Sequence, residues 1–363
     1  MNTSPISIYE PVFDQDEIDA VVACMAPDRF NSNRPIEEFE QAFSARCGFG
    51  RAIAVGNGSV ALHLAMLAAG LGPGDEVIVP ALTFVATANA VRYVGATPVF
   101  ADVDPLTWQM GAQQARPLIS KRTRAIVPVH LYGHASPVTE LRRLAEEHNL
   151  LVIEDCAEAL GTTVDGEPAG LHADAAVFSF YKNKTITTGE GGVVLSRHAD
   201  WHDRMVLLKG QGVPLDRRFW HEVVGYNYRM TNLAAAVGTA QLNKLERFVE
   251  RKRAILQRYR AALADVLAFQ EDIPGSQSSG WLVSAAVPQA SQRDPLMAFL
   301  GERGIQTRPV FLPLQRFPMY AQGAMPTPNA EAISARGLSL PSWPGLDDAQ
   351  IDRVSATIKE FFK

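Results

Sequence analysis

Residues 178–192, FSFYKNKTITTGEGG, set Lys182 and Lys184 two positions apart between a strand-like apolar run and a glycine cluster. A lysine amine becomes nucleophilic when desolvation or nearby positive charge lowers its pKa, so a lysine carried off a buried strand into a crevice can attack a carbonyl. Both lysines lie at the same alternation phase, and spacing leaves the choice between them open. A second chemical group is Asp155, at the end of the apolar run LLVIED. An acid there must be solvated, paired or used, and facing a ring nitrogen it favours the protonated ring and so strengthens an electron sink. Glu154 alternates to the opposite face, where it can pair with a base, and Glu158 is close enough in sequence to return to the same crevice.

A third feature is AVGNGSVA (54–61), in which Gly56, Gly58 and Ala61 match G-x-G-x-x-A after an apolar run and before a helix. A dinucleotide fold places its ribose-binding acid at the end of the next strand, whereas Asp75 and Glu76 come at the start of EVIVP; this counts against an NAD-dependent oxidoreductase. What remains is a helix N-terminus whose Gly58, Ser59 and Val60 N–H groups attract an anion, with the Ser59 hydroxyl beside them and phosphate as the obvious ligand. The plain alternative is a Gly-Asn-Gly turn with Ser59 as the helix cap.

The elements that must position these groups alternate. β-branched runs at 76–80, 97–103, 124–130, 150–155, 175–181 and 191–196 are expected as buried strands. Helical stretches intervene: SVALHLAMLAAG, ATANAVRYVG and PVTELRRLAEEHN. This is the pattern of a mainly parallel sheet flanked by helices, whose ligands gather beyond the carboxyl ends of the strands. The runs at 175 and 191 are too close for a helical crossover, so an antiparallel member or a functional loop belongs there. Residues 231–263 form one long amphipathic pattern, and the chain is expected to divide inside it. Residues 1–245 then make a large domain that includes the N-terminal segment, and 246–363 a smaller C-terminal α/β domain.

Composition narrows the class. With 363 residues, 47% hydrophobic and 20% charged, the chain has ample apolar material for two cores. Cys24, Cys47 and Cys156 form no C-x-x-C pair, and the helical His198/His202 pair lacks the glutamate of a metalloprotease helix, so no metal is expected. A net charge of −5 argues against broad nucleic-acid binding, and no run is long and apolar enough to span a bilayer; a cytoplasmic protein is expected.

Taken in order, GNGSVALHLA, PALTFVATANAV, IEDCAEALG, FSFYKNKTITTGEGG and GYNYRMTNLAAA resemble the pyridoxal-phosphate-dependent sugar aminotransferases of the DegT/DnrJ/EryC1/StrS family, over nearly the whole chain. TWQM (107–110), KGQG (209–212), VVGYNYRMTN (223–232) and RPVFLP (308–313) are most similar to the subset that converts GDP-4-keto-6-deoxymannose to GDP-perosamine. The resemblance implies a fold type I aminotransferase in which Lys184, five residues after Ser179, is the Schiff-base lysine. Asp155 would bind the pyridine nitrogen, while Gly58, Ser59 and Ser179 would hold the phosphate. Phe84 would stack on the ring and Glu158 would contact the ring-hydroxyl region. Asn227 would reach the phosphate of a neighbouring subunit, making a homodimer with shared sites, and Arg229 and Arg308 are candidates for anionic substrate groups. L-glutamate would be the amino donor, pyridoxamine phosphate the intermediate and a nucleotide-linked keto-sugar the acceptor; another keto-sugar is the alternative. Lys184 also argues against the family's dehydratases, which carry histidine at this position.

Overall fold

In the computed structural model, the described residues are 4–214, 216–217, 219–321 and 325–363. The six expected strands form as β2 (Glu76–Pro80), β3 (Thr97–Ala101), β4 (Thr123–Ile126), β5 (Leu151–Asp155), β8 (Ala175–Ser179) and β9 (Gly192–Ser196), and three that were not expected join them: β1 (Ile53–Val55), β6 (Thr163–Val164) and β7 (Glu167–Pro168). Downstream lie β10 (Ala268–Phe269), β11 (Ser276–Gln277), β12 (Val283–Ala286), β13 (Arg308–Pro309) and β14 (Gly337–Leu340). Seven strands make the main sheet in the order β1-β9-β8-β5-β4-β2-β3. The segment from β3 to β8 in that order is parallel, β9 runs antiparallel to β8, and β1 antiparallel to β9. Two reversals return β1 to the direction of β8. The carboxyl ends of β1, β5 and β8 therefore open on one edge, as ligand binding in an open α/β sheet requires.

Side-chain alternation sorts the two faces. Val77, Val79, Ile153 and Val177 point into one core with the helices Gly58–Ala68 and Ala86–Tyr93. Ile78, Ile126 and Val152 point into another beneath the helix Val138–Glu147. With a period of two, Asp155 and Ser179 follow Ile153 and Val177 onto the first face, while Glu154 turns to the second. There Glu154 is fully buried, accepting the Gly170 N–H at 2.7 Å and meeting His130 Nε2 at 2.8 Å.

The pattern at 231–263 resolves into two helices, Asn232–Leu242 and Leu245–Leu263, instead of one. Lys244, at the break, is held by Asp14 and by both carboxylate oxygens of Glu17 at 2.7 and 2.8 Å. That long-range anchor bends the chain where sequence periodicity runs on unbroken. The second helix packs on the sheet β10-β12-β14-β13 and on the helix Asp348–Phe361. A division at residues 245/246 meets two crossings. Ile6 lies in the C-terminal core and bridges to Ile305, and β11 pairs with β6 of the first unit.

Candidate active site

Asp155 is the floor of a cleft of about 640 Å³ at the strand ends. Its carboxylate accepts from the Thr87 hydroxyl at 2.8 Å and from the Ala157 N–H at 3.1 Å. Burial nevertheless pushes its pKa above the usual carboxylate value, against those two donors and the more distant Lys184 charge. Among the described residues no cation forms an ion pair with this acid, and a protonated ring nitrogen is a group that supplies one.

The chain leaves β8 at Ser179 and turns at once. The Phe180 N–H still donates to Gly191, but the Lys184 N–H donates to the Tyr181 carbonyl at 2.9 Å and Thr188 returns to Phe180. This turn breaks strand alternation and separates the two lysines. Lys182 is exposed, its amine 5.6 Å from the Tyr181 ring centroid. Lys184 turns inward, with Nζ 3.8 Å from Glu158 Oε1 and 4.0 Å from the centroid of the Trp281 ring. Burial lowers the proton affinity of Lys184, with Glu158 and Asp155 opposing. Glu158 accepts the Tyr132 N–H at 2.8 Å, and burial pushes its pKa up to about 7 despite Lys184 and that N–H.

At the end of β1 the helix Gly58–Ala68 begins on the cleft. Asn57, not Ser59, is its cap: its side-chain oxygen accepts the Val60 N–H at 3.0 Å. Val60 is thus already satisfied, leaving the Gly58 and Ser59 end of the helix, with the Ser59 and Ser179 hydroxyls, for an anion. A Cβ on Gly58 would lie 2.9 Å from Ser179 Cβ, so only glycine lets the helix approach the strand this closely. The dinucleotide reading fails on geometry as well: β2 ends on Pro80, and Glu76 at its far end is tied to Ser120 and Arg122.

One cleft therefore gathers Gly58, Ser59, Phe84, Asp155, Glu158, Ser179, Lys184 and Arg308. Phe84 is exposed at its mouth, 5.8 Å from the Phe311 ring, and Arg308 lies 5.1 Å from the Tyr9 ring. Asn227 and Arg229 are not among the residues lining it. Both are exposed on a ribbon beside β1, Asn227 bridging Gly210 and Arg229 bridging Val55. The two histidines of HADWH, from which no metal site was expected, have separate acidic partners. His198 caps a helix and meets Asp174 at 3.0 Å, while His202 meets Asp203 at 3.3 Å.

Sequence reasoning missed Thr87, Tyr132 and Trp281. Thr87 lay within a quoted motif, one helical turn after Phe84, and a hydroxyl there could have been matched to Asp155. Tyr132 and Trp281 carried no local signal. Tyr132 has φ +58° and is 1% exposed, and Trp281 comes from the C-terminal half of the chain.

The residues fit pyridoxal phosphate: an amine-bearing lysine, an acid short of a cation, an aromatic lid and a phosphate-sized helix N-terminus. Comparison with known proteins agrees. Two GDP-perosamine synthases are similar, that of Caulobacter vibrioides at 44% identity and that of Escherichia coli O157:H7 at 42%, each over 98% of both chains. The PLP-form of Spr1654 from Streptococcus pneumoniae superposes with a TM-score of 0.94 at 25% identity, over 98% of both chains. The family profile matches residues 11–359, and the chain belongs to the DegT/DnrJ/EryC1/StrS aminotransferase family.

Proposed function

We propose that the protein moves the amino group of L-glutamate to C4 of GDP-4-keto-6-deoxymannose, giving GDP-perosamine and 2-oxoglutarate. The observation that carries this reading is the meeting of a half-buried Lys184 with the buried Asp155 and Glu158 in one cleft, together with the names of the similar proteins. When bound, the cofactor supplies a carbonyl that captures amines and a ring that delocalises carbanion charge. In this reading Asp155, oriented by Thr87 and the Ala157 N–H, holds the proton at the ring nitrogen. Lys184 would hold the cofactor and, with its amine free, would accept and return a proton at Nζ. Gly58, Ser59 and Ser179 would bind the cofactor's phosphate, Phe84 would stack on its ring and Glu158 would contact its hydroxyl region. Arg308, at the mouth, is assigned to an anionic group of the substrate.

Asn227 and Arg229 stand outside the cleft of their own chain, and we assign Asn227 to the phosphate of a second copy, in a homodimer whose sites are shared. Its exposed position on the ribbon at 223–229 supports this role. We also take the division into a cofactor domain and a smaller C-terminal domain, near residue 245, as functional. Donor and acceptor of this kind are metabolites of the cytoplasm, and the reading puts the enzyme there; no helix among the described residues is long and apolar enough to cross a membrane.

The deciding experiment incubates the protein and glutamate with a panel of nucleotide-linked 4-keto sugars and follows 2-oxoglutarate. Release with GDP-4-keto-6-deoxymannose above the other sugars is expected. Release only with a sugar on another nucleotide would move the assignment to that sugar.

A further inference from the structure

Trp281 stands between the two halves of the site. It precedes β12, and its indole N–H donates to the Asn183 carbonyl at 2.8 Å, gripping the loop that carries Lys184. Its ring stacks on Tyr132 at 6.3 Å and 12°, and the Tyr132 N–H in turn holds Glu158. The turn at Gly133 is packed against its backbone: a Cβ there would come within 2.8 Å of the Trp281 main-chain nitrogen and 3.2 Å of its Cβ. Trp281 is 3% exposed.

We propose that the face of Trp281, together with Glu158, forms a seat for the free Lys184 amine, stabilising its ammonium form so that the amine rests there after it has accepted a proton. The inference rests on the aminotransferase reading of the site. An amine 4.0 Å from the centroid of an indole is within cation–π range, and desolvation strengthens that attraction. The 3.8 Å separation from Glu158 is an ion-pair distance and too long for a hydrogen bond, so the carboxylate alone does not fix the amine. The other charged groups of the cleft are Asp155 on the floor, Glu190 in the loop before β9, and Arg308 at the mouth. Burial favours the neutral amine, and the indole face works against it. Trp281 is thereby a positioning residue: it raises the proton affinity of Lys184 against the effect of burial and holds the amine in place for its return.

The test is competitive acetylation of the full-length protein stripped of cofactor, read residue by residue by mass spectrometry across pH, with Lys182 as control in the same loop. Trp281→Leu is expected to lower the labelling midpoint of Lys184 by about one pH unit, a roughly tenfold loss of proton affinity. Trp281→Phe, which keeps an aromatic face but loses the bond to Asn183, is expected to shift it by less than half as much, and Lys182 stays put in both. Superposition of the Leu and wild-type curves overturns the proposal, and so do equal Phe and Leu shifts. If Trp281→Leu does not melt cooperatively, protein carrying trifluorotryptophan at position 281 keeps the shape and the N–H but weakens the ring quadrupole. A downward shift is then expected, and an unmoved curve overturns the seat. Because no cofactor is present, failure of the transamination reading leaves these curves unchanged, while a flat comparison removes the seat and leaves that reading intact.

Discussion

Lys182 and Lys184 differ by one turn of loop, and that turn decides which of them can do chemistry. Lys184→Ala is expected to cut glutamate-dependent bleaching of the visible cofactor band by about 10³-fold or more in single-turnover absorbance, while Lys182→Ala stays within about threefold of wild type. Equal losses in the two variants would place the reacting amine elsewhere. Asp155 carries a second expectation. Asp155→Asn keeps the Thr87 contact but removes the charge, so turnover is expected to fall by about 10²-fold or more, with the band shifted toward that of a neutral ring. Both residues were legible as candidates because their types and their place at strand ends are chemically unusual. Alternation alone did not choose between the lysines, since it gives them the same phase; the family resemblance named Lys184, and the bond from its N–H to the Tyr181 carbonyl supplies the physical reason.

Elements meet at distances that leave little room for extra atoms. Gly58→Ala places a methyl against Ser179, so strand and helix must separate by several tenths of an ångström. Cofactor affinity, measured by fluorescence titration of the stripped protein, is expected to fall about tenfold or more, with overpacking costing roughly 1–3 kcal/mol. Lys252, on the helix Leu245–Leu263, offers a pH test of burial. It is 2% exposed, donates to the Ser342 carbonyl at 2.8 Å, and burial lowers its pKa to about 7 from 10.5. Between those values the unfolded chain holds a proton that the folded one lacks, so stability rises with pH by up to ~1.4 kcal/mol per unit. Lys252→Met removes this dependence. Its advantage over wild type in urea unfolding should be largest near neutral pH and shrink as pH climbs toward 10. A constant difference would show that Lys252 keeps its charge in the fold. The alternation of strands and helices announced the sheet, whereas the break at Asn243–Lys244 did not show, because Asp14 and Glu17, which hold it, lie far away in sequence.

At the scale of the whole molecule, the cleft draws on segments from Asn57 to Phe311, and on our reading it needs a second copy to supply Asn227. Mixing inactive Lys184→Ala with inactive Asn227→Ala under conditions of subunit exchange is expected to restore up to about a quarter of wild-type activity, since a random hybrid dimer keeps one intact site. No recovery, with exchange verified by mass spectrometry, would assign Asn227 to its own chain. The ribbon that carries it was legible as a motif, and the family resemblance already pointed Asn227 at a neighbouring subunit; its exposed place beside β1 is what the fold adds.

By itself the sequence determined the strand order of chemistry: an acid ending one buried strand, a serine and a lysine leaving another, and glycines opening a helix. These are local facts, fixed by residue type and by periods of two and 3.6. Only the tertiary structure decided which lysine turns inward, that Asn57 and not Ser59 caps the helix, and that Trp281 from the far half of the chain closes over the amine. Such choices depend on hydrogen bonds and packing between segments that no spacing relates, and a sequence records those contacts only after it has folded.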